Sequence, residues 1–288
     1  MTVAAVNGEE ICIFDAFGDI EEETRVNYQT IEIRKEGAIE WLTLNRPDKL
    51  NAITPQMCDE LQDYFGGLQF NHTVRVVMLR GAGRGLCAGY DLHAAGGVSA
   101  GPVVGMRFQR QVAEVYQRMR RCPQPIICLA HGPATGGGFA FLLASDVRVV
   151  SPDVKMNVAM VKIGLTGCDV GISYFLPRAV GQSVAAELMM TGRMISAERA
   201  ERLGLVSAVV PVEQLEATGR GIADDMLKTS PLGLRLTKEG LNLSVDAPSL
   251  DAAIAMEDRG QILCASAGFF DEGISAFMEK RAAEYKDG

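Results

Sequence analysis

Two glycine-rich segments carry the residue pattern best suited to chemistry. The first, Arg80 to Leu92, reads RGAGRGLCAGYDL, and the second, Ala130 to Ala140, reads AHGPATGGGFA. Glycine lets the main chain approach a ligand closely with its N–H groups free. The second segment also begins a predicted helix, whose first N–H groups lack internal partners and carry the positive end of the helix dipole. Two such N–H groups that converge on one oxygen would form an oxyanion hole, although each segment alone could be a tight turn.

A third motif, Gly97 to Gly101, matches the G-x-S-x-G nucleophile elbow of serine hydrolases at Ser99. That elbow needs a strand before it, a helix directly after it and a histidine later in the chain. Here the motif lies in a predicted loop, Pro102 follows it, and the last histidine is His131. We therefore favour a chance match and keep a serine hydrolase at Ser99 as an alternative. No histidine lies within metal-ligand spacing of a cysteine, so no metal site is predicted.

Alternating strands and helices must position these segments. A hairpin is predicted from Tyr28–Arg34 and Ala38–Leu44, which alternate apolar and polar residues around Glu36-Gly37. Further along the chain, the patterns predict helices over 56–65 and 104–119, a helix that begins within 135–138, and strands over 74–79, 125–130, 146–150, 154–158 and 205–210. Strands joined by crossover helices favour a largely parallel sheet. We predict a β/α core to about residue 212 and a helical region beyond it.

Composition excludes several classes of protein. The 288 residues carry 28 Lys and Arg against 36 Asp and Glu, a net charge of −8, which argues against binding to nucleic acid or to an anionic membrane surface. No apolar run reaches the ~18 residues that a membrane span needs. Residues 1–25 are acidic and resemble no signal peptide, so we expect a loosely structured extension there. Seven scattered cysteines without a Cys-x-x-Cys pair indicate reduced thiols and a cytoplasmic protein.

Together and in this order, the two glycine segments resemble the crotonase superfamily, the enoyl-CoA hydratase/isomerase family. The resemblance extends to the blocks NRPDKLNA at 45–52, LMMTGR at 188–193, AERLGLV at 200–206 and FDEGISAFMEKR at 270–281. It implies an α/β fold with a crotonase-like ββα spiral core over 26–212. It also implies a C-terminal helical region for trimerisation over 213–288, an N-terminal extension over 1–25, and a homotrimer or homohexamer.

The resemblance also assigns roles to residues. The N–H groups of Tyr90 and Gly137 would bind the thioester oxygen of an acyl-CoA while an enolate forms at the α-carbon. Coenzyme A would arrive as part of the substrate, with no tightly bound cofactor. Ala88, Tyr90, Asp91, Leu92, His93 and Gly137 would line the substrate site, Lys49 and Leu50 would lie near the adenine and phosphates, and Lys280 would add positive charge.

The sequence departs from the family at the two catalytic glutamates of hydratases. Ala140 and Met160 stand at those positions, and neither side chain can transfer a proton. One carboxylate, Asp169 in GCDVG, resembles the catalytic aspartate of dienoyl-CoA isomerases, but it could also be the N-cap of a following helix. We therefore expect an acyl-CoA enzyme with Asp169 as acid/base, for which isomerisation or another enolate reaction fits better than hydration. The alternative is an acyl-CoA-binding homologue without catalysis.

Overall fold

The computed structural model describes residues 4–6, 9–11 and 27–285. Strands β1 (Ala4–Val6) and β2 (Glu9–Ile11) form a short antiparallel pair. This pair falls in the segment for which the sequence predicts a loosely structured extension. The rest of the extension lies outside the described residues.

A six-stranded sheet forms the centre of the fold, in the order β10-β8-β6-β5-β4-β3. Strand β3 pairs antiparallel with β4 and the other pairs are parallel, as the sequence predicts. Residues on both faces of β4, β5 and β6 are buried, which explains the continuous apolar runs of β5 and β6. The strands are β3 (Ile31–Glu36), β4 (Ile39–Leu44), β5 (Val76–Gly81), β6 (Ile126–Ala130), β8 (Val147–Val150) and β10 (Ala208–Val209).

A second, smaller set of pairings follows the main strands along the chain. Strand β7 (Pro133–Thr135) pairs in parallel with β9 (Lys155–Asn157). Single bridges continue this array, joining Ile53 to Tyr90, Cys87 to Ala134 and Met156 to Ile195. Each segment in it comes shortly after a strand of the main sheet or a short helix. Successive parts of the chain therefore each add a short extended segment to this second array.

Helices cover both faces of the main sheet. On one face, α1, α2 and α3 bury their apolar sides in the larger core, to which α2 contributes Val112, Val115 and Met119, whereas Val104 at its start is exposed. On the other face, Leu215 and Ala223 of α7 pack on the sheet. These helices and those between them are α1 (Pro55–Gly67), α2 (Pro102–Arg121), α3 (Gly137–Ala144), α4 (Ile172–Val180), α5 (Gln182–Thr191), α6 (Ala197–Arg202) and α7 (Leu215–Leu227).

Three further helices complete the described chain: α8 (Pro231–Ser244), α9 (Leu250–Ser266) and α10 (Phe269–Glu279). Lys238 anchors α8 to the core, because its buried ammonium group donates to the Gln124 carbonyl at 2.7 Å and pairs with Asp146 at 3.0 Å. Helix α9, in contrast, buries none of its residues. None of the helices in the described part of the chain is long and apolar enough to cross a membrane.

Candidate active site

The two glycine-rich segments meet where Gly89 lies against the start of α3. A methyl group added at Gly89 would lie 3.7 Å from the Gly137 nitrogen, and one added at Gly137 would lie 4.0 Å from the Gly89 Cα. Within residues 27–285, neither the Tyr90 nor the Gly137 N–H group has a hydrogen-bond acceptor. Gly137 is the first residue of α3, so its N–H group lies at the positive end of that helix.

Main-chain hydrogen bonds hold the Tyr90 amide in place. The Ile53 N–H group donates to the Gly89 carbonyl at 2.9 Å, and the Asp91 N–H group donates to the Ile53 carbonyl at 2.9 Å. These two bonds flank Tyr90 and leave its own N–H group unused. The Gly89 φ of +99° lies in the region that favours glycine, which makes this turn accessible. On the facing segment, Thr135 donates through its hydroxyl to the Ala88 carbonyl at 2.9 Å.

Asn51 ties the segment after β4 to the first glycine-rich loop. The side chain is fully buried, and its amide group donates to the carbonyls of Ala82, Gly85 and Leu86 at 2.8, 2.9 and 3.1 Å. Its carbonyl oxygen accepts from the Arg46 N–H group at 2.9 Å. The sequence analysis quoted Asn51 within a motif but gave it no role. The only local signal is that asparagine tolerates a positive φ, here +55°.

Most of the other residues expected to bind substrate gather around this loop. Leu50 accepts a hydrogen bond from the Ala88 N–H group at 2.9 Å, which places these two predicted residues side by side. The side chains of Lys49 and His93 are exposed. Leu92 is 62% exposed, which is unusual for a large apolar side chain.

The Asp91 side chain forms contacts that stabilise the loop. Its carboxylate pairs with the Arg46 guanidinium at 3.2 Å and accepts from the His93 N–H group at 3.1 Å. Desolvation raises the pKa of Asp91, but the hydrogen bonds from Arg46 and His93 outweigh it and leave that pKa below its usual value. The same Arg46 also donates to the Ala52 carbonyl. Asp91 is therefore an ion-paired carboxylate that stabilises the backbone next to Tyr90.

Lys280 lies apart from this cluster, at the C-terminal end of α10, and its side chain is exposed. The neighbouring Arg281 pairs with Glu272 at 2.7 Å and with Glu279 at 2.6 Å. Hydrogen bonds from the Arg281 guanidinium, above all, lower the pKa of Glu272 to about 2. Lys280 itself forms no ion pair within the described chain.

Asp169 is held by α2. The Gln109 side-chain amide donates to Asp169 Oδ1, and the Val170 N–H group also bonds the carboxylate. Burial raises the pKa of Asp169, which these two hydrogen bonds only partly oppose. The alternative role as a helix cap is wrong, because α4 begins at Ile172 with Gly171 as its N-cap and no side-chain cap bond.

Helix α2 connects Asp169 to both amides. The Tyr116 hydroxyl donates to the Gly137 carbonyl at 3.0 Å. Phe108, next to Gln109, packs edge-on against the Tyr90 ring with centroids 5.0 Å apart. Helix α2 therefore contacts the predicted carboxylate through Gln109, the Tyr90 ring through Phe108 and the Gly137 carbonyl through Tyr116.

Ala140 and Met160, the positions at which the resemblance predicts the hydratase glutamates, are apolar and buried. Ala140 is fully buried in α3, and Met160 is 7% exposed in the short 3₁₀ helix Ala159–Ile163. Both pack within the larger core.

The features expected of a serine hydrolase are missing around Ser99. In the described structure this residue lies in an exposed turn after the 3₁₀ helix Ala95–Gly97, where a nucleophile elbow needs a strand. The His131 ring nitrogen Nε2 contacts the Gly83 carbonyl at 2.8 Å, which ties the end of β6 to the first glycine-rich loop.

Comparison with known proteins places this site in a family. The family model described as enoyl-CoA hydratase/isomerase matches residues 34–288. "Probable enoyl-CoA hydratase EchA12" of Mycobacterium tuberculosis is 40% identical over 252 residues, which cover 85% of this chain and 88% of the relative. The 1,2-epoxyphenylacetyl-CoA isomerase of Escherichia coli is 33% identical over 85% of this chain and 93% of its own. The crystal structure of an enoyl-CoA hydratase from Bacillus anthracis superposes with a TM-score of 0.84 at 30% identity, covering 90% of this chain and 99% of that one.

The sheet, its second layer of short strands and the helices around them define an α/β enzyme of the crotonase fold, which confirms the predicted fold class. The chain belongs to the enoyl-CoA hydratase/isomerase family. It is an enzyme that acts on acyl-CoA thioesters.

Proposed function

We propose that this enzyme moves a double bond within an enoyl-CoA thioester through an enolate, and that Asp169 carries the proton. The observation that carries the proposal is that α2 contacts the partly buried carboxylate of Asp169 and both residues whose N–H groups lack an acceptor among the described residues. Gln109 donates to Asp169, Phe108 packs on the Tyr90 ring and Tyr116 donates to the Gly137 carbonyl. In this reaction the carboxylate of Asp169 removes a proton from one carbon and returns it to another. The electron pair passes through the thioester oxygen, where the N–H groups of Tyr90 and Gly137 stabilise it.

A single carboxylate suits isomerisation better than hydration. Addition of water needs one group to activate the water and another to deliver a proton to the α-carbon. Ala140 and Met160 supply neither group. Isomerisation needs one group that accepts a proton and then donates it, and the raised pKa of Asp169 brings its carboxyl closer to the range in which both forms are accessible.

Coenzyme A, in this proposal, is the only cofactor and enters with the substrate. The exposed Lys49 and Lys280 side chains would meet its phosphates, and Leu50, Ala88, Leu92 and His93 would line its path to the amide pair. Asp91 contributes by holding the loop through Arg46. The free thiols of the six cysteines in the described part of the chain are in keeping with a cytoplasmic location, which we also propose.

We further propose that residues 213–288 form the contacts of a homotrimer or homohexamer. The support is a set of large apolar side chains that the single chain leaves exposed on α9 and α10: Leu250, Ile262, Leu263, Phe270, Phe277 and Met278. Such a surface is typical of an interface between protein chains. Sedimentation velocity of the full chain tests this, since a stable monomer at micromolar concentration would contradict it.

The test of the reaction is a panel of enoyl-, dienoyl- and aryl-CoA esters, read by mass spectrometry in D₂O. We expect a shifted double bond and no addition of water, with deuterium at the receiving carbon only to the extent that the proton on Asp169 exchanges with solvent before it is returned. In Asp169→Asn, we expect kcat to fall about 100- to 10,000-fold, the range for loss of a general acid–base group. The exposed Asp153→Asn variant should retain full activity. Net hydration by the wild type, unchanged turnover in Asp169→Asn, or CoA-ester binding without any turnover would contradict the proposal.

A further inference from the structure

Gln109 is the one side chain that the described structure places on the carboxylate of Asp169. It lies on α2, 60 positions earlier in the chain, and its amide nitrogen donates to Asp169 Oδ1. Gln109 is partly buried, whereas Arg107 and Arg110 on the same stretch of α2 are exposed. This hydrogen bond therefore joins α2 to the segment that leads into α4.

The backbone after Asp169 reinforces this contact. Val170 has a φ of +40° and Gly171 a φ of +86°. A β-branched residue with positive φ is strained, and such strain persists where the surrounding structure imposes it. Val170 is also buried, and its N–H group bonds the Asp169 carboxylate. The carboxylate is thus held by a main-chain donor on its own segment and by a side-chain donor on α2.

The chemistry of the donor matters. A guanidinium or ammonium partner would stabilise the carboxylate strongly and make it a weak base. A neutral amide fixes the direction of the carboxylate with a smaller effect on its basicity. Gln109 also follows Phe108, whose ring packs on Tyr90, so one turn of α2 contacts both the carboxylate and the residue that carries one of the two amides.

We propose that Gln109 is a positioning residue for the reaction: its amide holds Oδ1 of Asp169 and leaves Oδ2 to exchange the proton with the substrate carbon. This inference rests on the proposed function of Asp169. Gln109 itself takes no part in proton transfer, because an amide neither accepts nor releases a proton in this range of pH.

Gln109→Leu tests the proposal, with Gln111→Leu as its matched control. Gln111 is also on α2 and also donates to an aspartate, Asp59, at 2.6 Å, but that pair lies on the surface. Gln109→Leu should lower kcat roughly 10- to 100-fold, as expected for a misdirected reacting group, and change KM less than about twofold. Because the lost hydrogen bond favours the carboxylate, the pKa of Asp169 rises further, and the acid limb of the kcat profile moves to higher pH. Gln111→Leu should change neither kcat nor the profile.

A second variant keeps the shape of the side chain. Gln109→Glu introduces a like charge beside Asp169, so the acid limb should move further toward high pH than in Gln109→Leu.

If Gln109 acts only through Asp169, Gln109→Leu should lower kcat less than about twofold further when added to Asp169→Asn.

The outcomes separate this inference from the proposed function. Full activity in Gln109→Leu, together with a strong loss in Asp169→Asn, would overturn the role of Gln109 alone. A lower kcat in Gln109→Leu with an unmoved acid limb, or an additive loss in the double variant, would also overturn it by indicating a purely structural effect. Unchanged turnover in Asp169→Asn would overturn the proposed function and this inference together.

Discussion

Two glycine-rich loops lie between β5 and α2, the first over 81–89 and the second over 96–101. They look alike in sequence and differ in structure. In the loop 81–89, added methyl groups at Gly81 and Gly85 would collide with the main chain or with Pro133, and one at Gly89 would lie 3.0 Å from the Thr135 carbonyl oxygen. In the loop 96–101, which precedes α2, methyl groups at Gly96 and Gly101 would meet nothing within 4 Å, whereas one at Gly97 would lie 2.8 Å from the Phe108 ring. The first loop is therefore packed against other segments, and the second is partly open to solvent.

This difference shows where an amide site can form. An N–H group without an acceptor is useful to a substrate only if the surrounding backbone holds it in a fixed direction. The Tyr90 amide is held in this way by Asn51, Ile53 and Thr135, which reach the first loop from two other segments, 51–53 and 133–135. The second loop leads into α2 without comparable support, so it connects elements but presents no site of this kind.

Among substitutions in the two loops, the largest effect is expected from Gly89→Ala. The methyl group would press on the Thr135 carbonyl and change the φ of +99°, which moves the Tyr90 amide. Loss of one such donor predicts a fall in kcat/KM of about 100- to 1000-fold. Steady-state kinetics on the best substrate of the CoA-ester panel measures it.

Gly101→Ala is the control for Gly89→Ala. Its φ of +93° is similar, so it carries a similar backbone strain of about 1–2 kcal/mol, but its methyl group meets nothing. We expect Gly101→Ala to lower the melting temperature and to leave kcat/KM within about threefold of the wild type. Equal losses of activity in both variants would contradict the distinction between the loops.

Asn51→Ala should weaken the first loop itself. The variant leaves the Ala82, Gly85 and Leu86 carbonyls without their buried donor, which costs about 2–4 kcal/mol in the free energy of unfolding. Urea denaturation measures the loss. Asn71→Ala also removes three hydrogen bonds, but they lie in a turn at the surface, so a cost of about 1 kcal/mol or less is expected. A smaller cost for Asn51→Ala than for Asn71→Ala would show that the loop does not depend on Asn51.

Periodicity and local motifs predict the elements well because their causes are local. The hairpin β3-β4, the buried stripe of α2 and the start of α3 at Gly137 all follow from residues within one segment. Strand β7 was not predicted, because Pro133–Thr135 has no alternation and pairs only after β9 arrives.

The contacts of the candidate site depend on residues far apart in the chain. Asn51 meets Gly85 across 34 positions and Gln109 meets Asp169 across 60, and no local pattern encodes either contact. Gly171, with its φ of +86°, shifts the start of α4 to Ile172, which is why the cap predicted for Asp169 does not form. The resemblance to the family supplied the pairing of Tyr90 with Gly137, which local residue patterns left open.

Asp169→Asn should stabilise the fold while it removes activity. Burial raises the pKa of Asp169, so the folded chain binds this proton more tightly than the unfolded chain does. The wild type therefore loses stability as pH rises through the window between the unfolded and the raised folded pKa, and the loss persists above it. At pH 7 the Asn variant, which has no charge to bury, should have the higher free energy of unfolding. The difference should vanish as pH falls below the ordinary aspartate range. Urea denaturation at several pH values checks this, and a variant less stable than the wild type at pH 7 would contradict it.

The smallest effect is expected at Ser99, in the open loop. Its exposed side chain follows a 3₁₀ helix and has no hydrogen bond among the described residues, so Ser99→Ala removes neither a structural nor a catalytic contact. We expect kcat/KM within about twofold of the wild type and a free energy of unfolding within about 0.5 kcal/mol, as for a surface substitution. A fluorophosphonate should leave the wild-type protein unlabelled. Labelling at Ser99, together with loss of turnover in Ser99→Ala, would instead place chemistry in the second loop and reverse the assignment of the two loops.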